Sequence, residues 1–140
     1  MKANELMIDD WVYNKNIAKP MQVYPMMLSQ MFRQTPDATT EDYNIFPIPL
    51  TPEILEKNGF EKSYSSILTA DGYKKLLVYK YKNIKQAQSI RHNLIKVCVS
   101  LDGSKYDVEF GISSHIFDLE YVHEFQHALR LCGIEKEIEL

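Results

Sequence analysis

The residues best placed to do chemistry in this chain are His123-Glu124-Phe125-Gln126-His127, which spell the HExxH pattern of zinc peptidases. On a helix, histidines four apart share one face and can both reach a metal, and the glutamate after the first can activate a metal-bound water. His123 and His127 are therefore candidate metal ligands, Glu124 is a candidate catalytic base, and zinc is the cofactor they would take. A catalytic zinc also needs a third protein ligand, and thirteen residues follow His127. Against the extended pattern HExxHxxGxxH, the chain has Arg130 in place of glycine and Gly133 in place of the last histidine. Glu135, Glu137 and Glu139 lie very close downstream, and His92 or His115 would have to be delivered by the fold. The competing reading is structural: a solvated polar face on an amphipathic helix. The sequence favours this second reading, with no cofactor.

A second constellation is electrostatic. From Gly72 to Leu101 there are seven bases and no acid: Lys74, Lys75, Lys80, Lys82, Lys85, Arg91 and Lys96. From Asp107 onward eight acids stand against Arg130 and Lys136, although the net charge of the whole chain is only −3. Tyr73, Tyr79 and Tyr81 interleave with the lysines. Lys74, Lys75, Lys80, Lys82, Lys85 and Arg91 are thus candidates for binding nucleic acid or another polyanion on a cationic sheet face with stacking rings. A half-exposed strand that buries aromatics and shows lysine to water gives the same alternation for structural reasons. There is no Gly-rich phosphate loop, no GxSxG and no Cys/His nucleophile arrangement.

Such residues need a core to hold them. The 140 residues suit one ordinary domain or two very small ones, and 45% hydrophobic content is enough to fill the interior. With 25% charged residues the composition is that of a folded protein. No apolar run approaches the roughly 20 residues that span a bilayer. Met1-Lys2-Ala3-Asn4-Glu5 lacks the apolar stretch of a signal peptide, so a cytoplasmic protein with no membrane association is expected. Cys98 and Cys132 sit among apolar neighbours and read as reduced thiols acting as small hydrophobes.

Leu6 to Tyr13 and Met21 to Leu28 read as two short strands of an SH3-like β portion, with a helix from Pro25 to Phe32 as the competing reading. Gln34 to Asn44 is polar and loop-like. Ile48-Pro49-Leu50 leads into Thr51 as N-cap, Pro52 at the first helical position and Glu53 at the positive end of the helix dipole, with Asn58-Gly59 closing a short helix. Tyr64 to Leu68, Lys75 to Tyr81, Leu94 to Ser100 and Tyr106 to Phe110 form an antiparallel meander of four strands, and 83–92 is left open between a helical turn and a loop. A last helix runs from about Leu119 to Cys132, with Asp118 as N-cap, Gly133 as stop and Val122, Phe125, Leu129 and Cys132 as its apolar stripe. The stripe lies nearly opposite His123 and His127, so the histidines are expected to face solvent. Ile138 and Leu140 suggest a short closing strand.

Leu6 to Tyr13, Ile48 through Lys62, and Tyr121 through Leu140 resemble a family of small phage-, prophage- and mobile-element-encoded proteins of Bacteroides-type bacteria. Its pattern is LRIGNYV, then PIPLTEEILLKCGFEK, then YVHQLQNLYFALTGEEL. The likeness covers about 45 residues in three blocks in the same order, and implies no named activity. In that pattern the histidine matching His123 and the glutamine matching Gln126 recur, glutamine stands at Glu124, a non-ligand usually stands at His127, and a Gly-Asn turn replaces Asp9-Asp10. The resemblance implies that the HExxH is a local variation on a structural helix. The expected protein is α+β, with an SH3-like β portion over 1–50 and an antiparallel four-stranded sheet with two helices over 51–140, as two units or one continuous domain. Its expected role is a non-enzymatic interaction module for a host or phage protein. Polyanion binding through 72–101 and zinc hydrolysis are the alternatives.

Overall fold

The computed structural model describes residues 1–34, 39–81, 95–110, 114–134 and 136–140, with backbone alone at 34, 110 and 114–117. Two compact units emerge, one made of Met1–Pro49 with Tyr121–His127, the other of Leu50–Glu120 with Ala128–Leu140. The architecture is α+β with two antiparallel sheets.

In the first unit, β1 (Trp11–Asn14) lies between β2 (Lys19–Gln22) and β3 (Ile45–Pro47). Val12, with no exposed surface, pairs with Met21 on one side and Pro47 on the other. The expected second strand ends early, because Pro25 takes the first position of a helix, α1 (Pro25–Gln34). Methionine, leucine and glutamine favour helix there, and no β-branched residue opposes it. Met27 and Met31, one turn apart, join Leu6, Val12, Val23 and Ile45 in the core, while Met26 points to solvent. The SH3-like expectation is therefore corrected to a three-stranded sheet with a helix. The helical reading of Pro25 to Phe32 is the one realised.

In the second unit, Thr51 caps α2 (Pro52–Lys57), its hydroxyl accepting the Ile54 N–H at 3.3 Å. Gly59 then takes φ +87°, a conformation other residues adopt only with strain. Asn58 is fully buried. Its amide donates to the carbonyls of Ile54 and Glu139, each at 2.7 Å, and its carbonyl accepts the Glu139 N–H at 2.8 Å. This side chain replaces the closing strand expected at Ile138–Leu140. Ile138 is buried beside it in sequence.

The sheet of this unit runs in order β4 (Phe60–Thr69), β5 (Gly72–Tyr81), β6 (Ile95–Val99), β7 (Tyr106–Phe110), β8 (Ser114–Leu119). It has five strands rather than four. The extra one, β8, absorbs Asp118 and Leu119, which the sequence reading assigned to a helix start. Alternation puts Phe60, Tyr79, Val97, Val108 and Leu119 on one buried face.

The last helix, α3, spans Val122–Leu131. Gly133, at φ +74°, ends it: its N–H reaches the Arg130 carbonyl at 3.0 Å and the Ile134 N–H reaches Leu129 at 2.9 Å. These are the two bonds of a Schellman stop, with Leu129 and Ile134 both buried. Among the described residues no helix is long and apolar enough to cross a membrane.

Candidate functional site

Part of the expected solvated face of α3 is buried, although Arg130 stays exposed. Val122, Phe125 and Leu129 pack as the apolar stripe predicts, yet His123 is 3% exposed and Gln126 6%, and of the stripe only Cys132 is half-buried. Polar groups enter an interior only when something meets their hydrogen bonds. Here the partner is the turn before β1. Asp10 N–H bonds the Met7 carbonyl at 3.2 Å, and Asp9 sits at φ +71°. The Asp10 carboxylate, wholly buried, accepts the Met7 N–H at 2.7 Å.

The polar residues of α3 read this turn directly. Gln126 accepts the Trp11 N–H at 2.8 Å and donates to the Asp9 carbonyl at 3.0 Å, the two ends of one amide meeting two backbone groups. His127 Nε2 lies 2.7 Å from Asp10 Oδ2, a short charge-assisted hydrogen bond. Glu124, in the first turn, accepts the Tyr121 N–H at 3.0 Å, as a capping glutamate does. His123 stacks on Tyr121, with ring centroids 5.9 Å apart and planes 10° apart, and meets His127 edge-on at 5.8 Å. Its Nδ1 is buried and has no hydrogen-bond partner among the described residues. Burial holds the ring's pKa below the ordinary value and His127 pushes the same way, against the pull of Glu124, Asp10 and Glu5.

This geometry does not fit a catalytic zinc. A metal bridging His127 and Asp10 would hold their donor atoms about 3.3 Å apart, from bonds near 2 Å at a tetrahedral angle. The observed 2.7 Å is a direct hydrogen bond. Glu124 turns back to the start of its own helix. No set of three or more His, Cys, Asp or Glu side chains converges to hold a metal among the described residues. His92 and Glu135 lie outside the described residues, as does the side chain of His115.

The basic candidates fare differently from one another. Lys82, Lys85 and Arg91 lie outside the described residues. On β5, alternation separates Lys74 and Lys80 from Tyr73, Tyr79 and Tyr81 onto opposite faces, and Tyr79 is buried, so among the described candidates Lys75 alone shares the face of the rings. Antiparallel pairing also laces the charge. Lys80 is opposite Glu61 on one side and Lys96 on the other, and Lys96 is opposite Glu109. Lys74 stands 3.9 Å from Asp71, and Lys75 lies over the Tyr64 ring at 5.8 Å. Beside Lys96, the Cys98 thiol is pushed up to about 11 by burial, then by Glu109 and Asp107, which makes it a poor nucleophile.

Three of the most exposed apolar side chains of the second unit gather elsewhere. Among the described residues Val78–Lys80 of β5 pair with β6, and the hairpin of β4 and β5 runs on as a two-stranded ribbon toward its turn at 70–71. On the face that is buried nearer Phe60, this ribbon carries Tyr64, Leu68 and Tyr73, exposed by 59%, 72% and 78%. Sequence reasoning placed these strands without singling out the ribbon, and it also missed Asp9, Asp10 and Gln126. The signal for the ribbon was present: a strand pair with apolar residues on alternate positions. Comparison with family models, curated proteins and solved structures finds no match to this chain.

Proposed function

We propose that this protein is a non-enzymatic interaction module that grips a host or phage protein in the cytoplasm through the β4–β5 ribbon. The observation that carries the reading is the row of Tyr64, Leu68 and Tyr73 on one side of a hairpin extending past its sheet. Large apolar side chains clustered in the open mark interaction sites, and tyrosine is favoured in such contacts. The reading is supported from the other end of the chain, where the residues that spell HExxH are engaged in capping, stacking and holding a turn. It also agrees with the resembled phage-borne pattern, in which the recurring positions are those of His123 and Gln126, both buried here.

The test is site-directed photo-crosslinking in cells, with a benzophenone residue placed at Tyr73 or, as control, at Leu131 on α3, which is equally open to solvent. A defined partner band from Tyr73 that is absent at Leu131, and absent again in Leu68→Glu, supports the module. Equal labelling from both positions removes the ribbon as the gripping surface. Two further outcomes displace the reading altogether: hydrolytic activity abolished by chelation, or salt-sensitive DNA binding lost in Lys74→Glu/Lys75→Glu.

A further inference from the structure

The outer edge of the ribbon is unguarded. Among the described residues β4 is an edge strand, ten residues long, paired with β5 in unbroken register. Natural edge strands are blunted by charge, proline, bulges or shortness, because an open row of N–H and C=O groups templates another strand. Ser63-Tyr64-Ser65-Ser66-Ile67-Leu68-Thr69 has no charge, proline or glycine, and no bulge interrupts it. A strand left in this state is built to be paired.

Resting on the reading of the ribbon as an interaction surface, we infer that the occupant of this edge is the β4 strand of a second copy, paired antiparallel about a two-fold axis at Ser66. The backbone sets which residues can bond. The tight turn at 70–71 closes on Thr69 opposite Gly72, whose backbone groups face each other across the hairpin. Alternation then turns the N–H and C=O of Leu68, Ser66, Tyr64 and Lys62 outward. Side chains select among the registers this allows. With Ser66 opposite Ser66 of the second copy, Tyr64 faces Leu68 of the second copy and Leu68 faces its Tyr64. The two exposed apolar residues of the edge thus become cross-strand pairs, with Tyr73 and Leu77 continuing each row on β5. Shifting by two residues one way sets Leu68 against Lys62, and the other way sets Tyr64 against Ala70. Each loses both apolar pairs. The hydrogen-bonded pairs are Tyr64–Leu68, Ser66–Ser66 and Leu68–Tyr64, all made by groups on the side of β4 that no described strand pairs.

Sedimentation velocity over a concentration series tests this. The intact chain is expected to be dimeric at micromolar concentration. Ser66→Pro removes an outward N–H, which an edge strand tolerates in the monomer, and should raise the dimer dissociation constant by roughly a hundredfold with circular dichroism unchanged. A dimer that Ser66→Pro leaves intact overturns the inference, as does a chain monomeric throughout the series. Should Ser66→Pro fail to fold, Ser66→Cys decides. Mild oxidation must give a symmetric disulfide at position 66, read by mass spectrometry, whereas cross-links only to Cys98 or Cys132 refute the register. A monomeric chain whose Tyr73 still crosslinks one partner sinks the self-pairing and leaves the interaction module standing. A dimer with no partner at Tyr73 does the reverse.

Discussion

Gln126→Leu tests whether the polar side of α3 is structural. Leucine has nearly the same size, so packing is largely kept and the hydrogen bonds are what change. The Asp9 carbonyl loses one donor but keeps Gln22 Nε2 at 3.3 Å and lies in an exposed residue, so that loss costs little. The Trp11 N–H loses the acceptor it has at 2.8 Å, and removing the acceptor of a half-buried donor costs about 1–3 kcal/mol. The greater hydrophobicity of leucine offsets part of this, leaving a net destabilisation of roughly 2 kcal/mol. Trp11 is the single tryptophan of the chain, so its fluorescence during urea unfolding reports on the perturbed strand itself. With a urea dependence near 2 kcal/mol per molar, the midpoint should fall by about 1 M. A midpoint displaced by less than about 0.2 M, with native Trp11 emission unchanged, would refute the claim that Gln126 holds the turn.

Glu124→Gln should alter stability by less than about 0.5 kcal/mol, because glutamine can still accept the Tyr121 N–H, whereas Glu124→Ala should cost about 1 kcal/mol; equal losses would deny the capping role. Asn58→Ala removes three hydrogen bonds from a fully buried site and should cost roughly 3 kcal/mol, with faster amide exchange at Glu139 as the local sign. His123 is held below its ordinary pKa by burial, so the unfolded chain takes the proton first. Stability is therefore full above about pH 6.5 and lost as pH falls through the depressed folded value. His123→Phe should flatten that acid limb in urea midpoints measured from about pH 8 to pH 5, and an unchanged slope would point to another group.

Much of the second unit was legible because local chemistry and fold agree there. Thr51-Pro52, Asn58-Gly59 and Gly133 each do what their side chains favour, and three of the four expected strands lie where alternation and turn residues place them, give or take their ends. Leu94 to Ser100 likewise contains β6. The failures share a cause: periodicity reports which residues are apolar, and a buried polar residue with its bonds met looks identical in sequence to a solvated one. His123 and His127 were read as solvent-facing for that reason. Asp10 and Asp9, which meet His127 and Gln126, are more than a hundred residues away. One clue was available. The resembled pattern has glycine at position 9, where this chain holds aspartate at φ +71°, so a left-handed turn could have been anticipated. Pro25 was misplaced because proline ends strands and begins helices equally well.

The division of α3 has a consequence for synthesis. Residues 1–49 form a unit that also takes in Tyr121–His127, so its interior waits on a segment made some seventy residues later. Bringing such distant parts together carries a loop-closure entropy that only the completed contacts return. As the chain leaves the ribosome, Trp11 and the buried Asp10 spend most of translation without Gln126 and His127, which meet them in the finished protein. A chain broken off before residue 121 would carry all five strands of the second sheet while Asp9, Asp10 and Trp11 lacked the side chains that meet them, which is the kind of product that quality-control proteases remove.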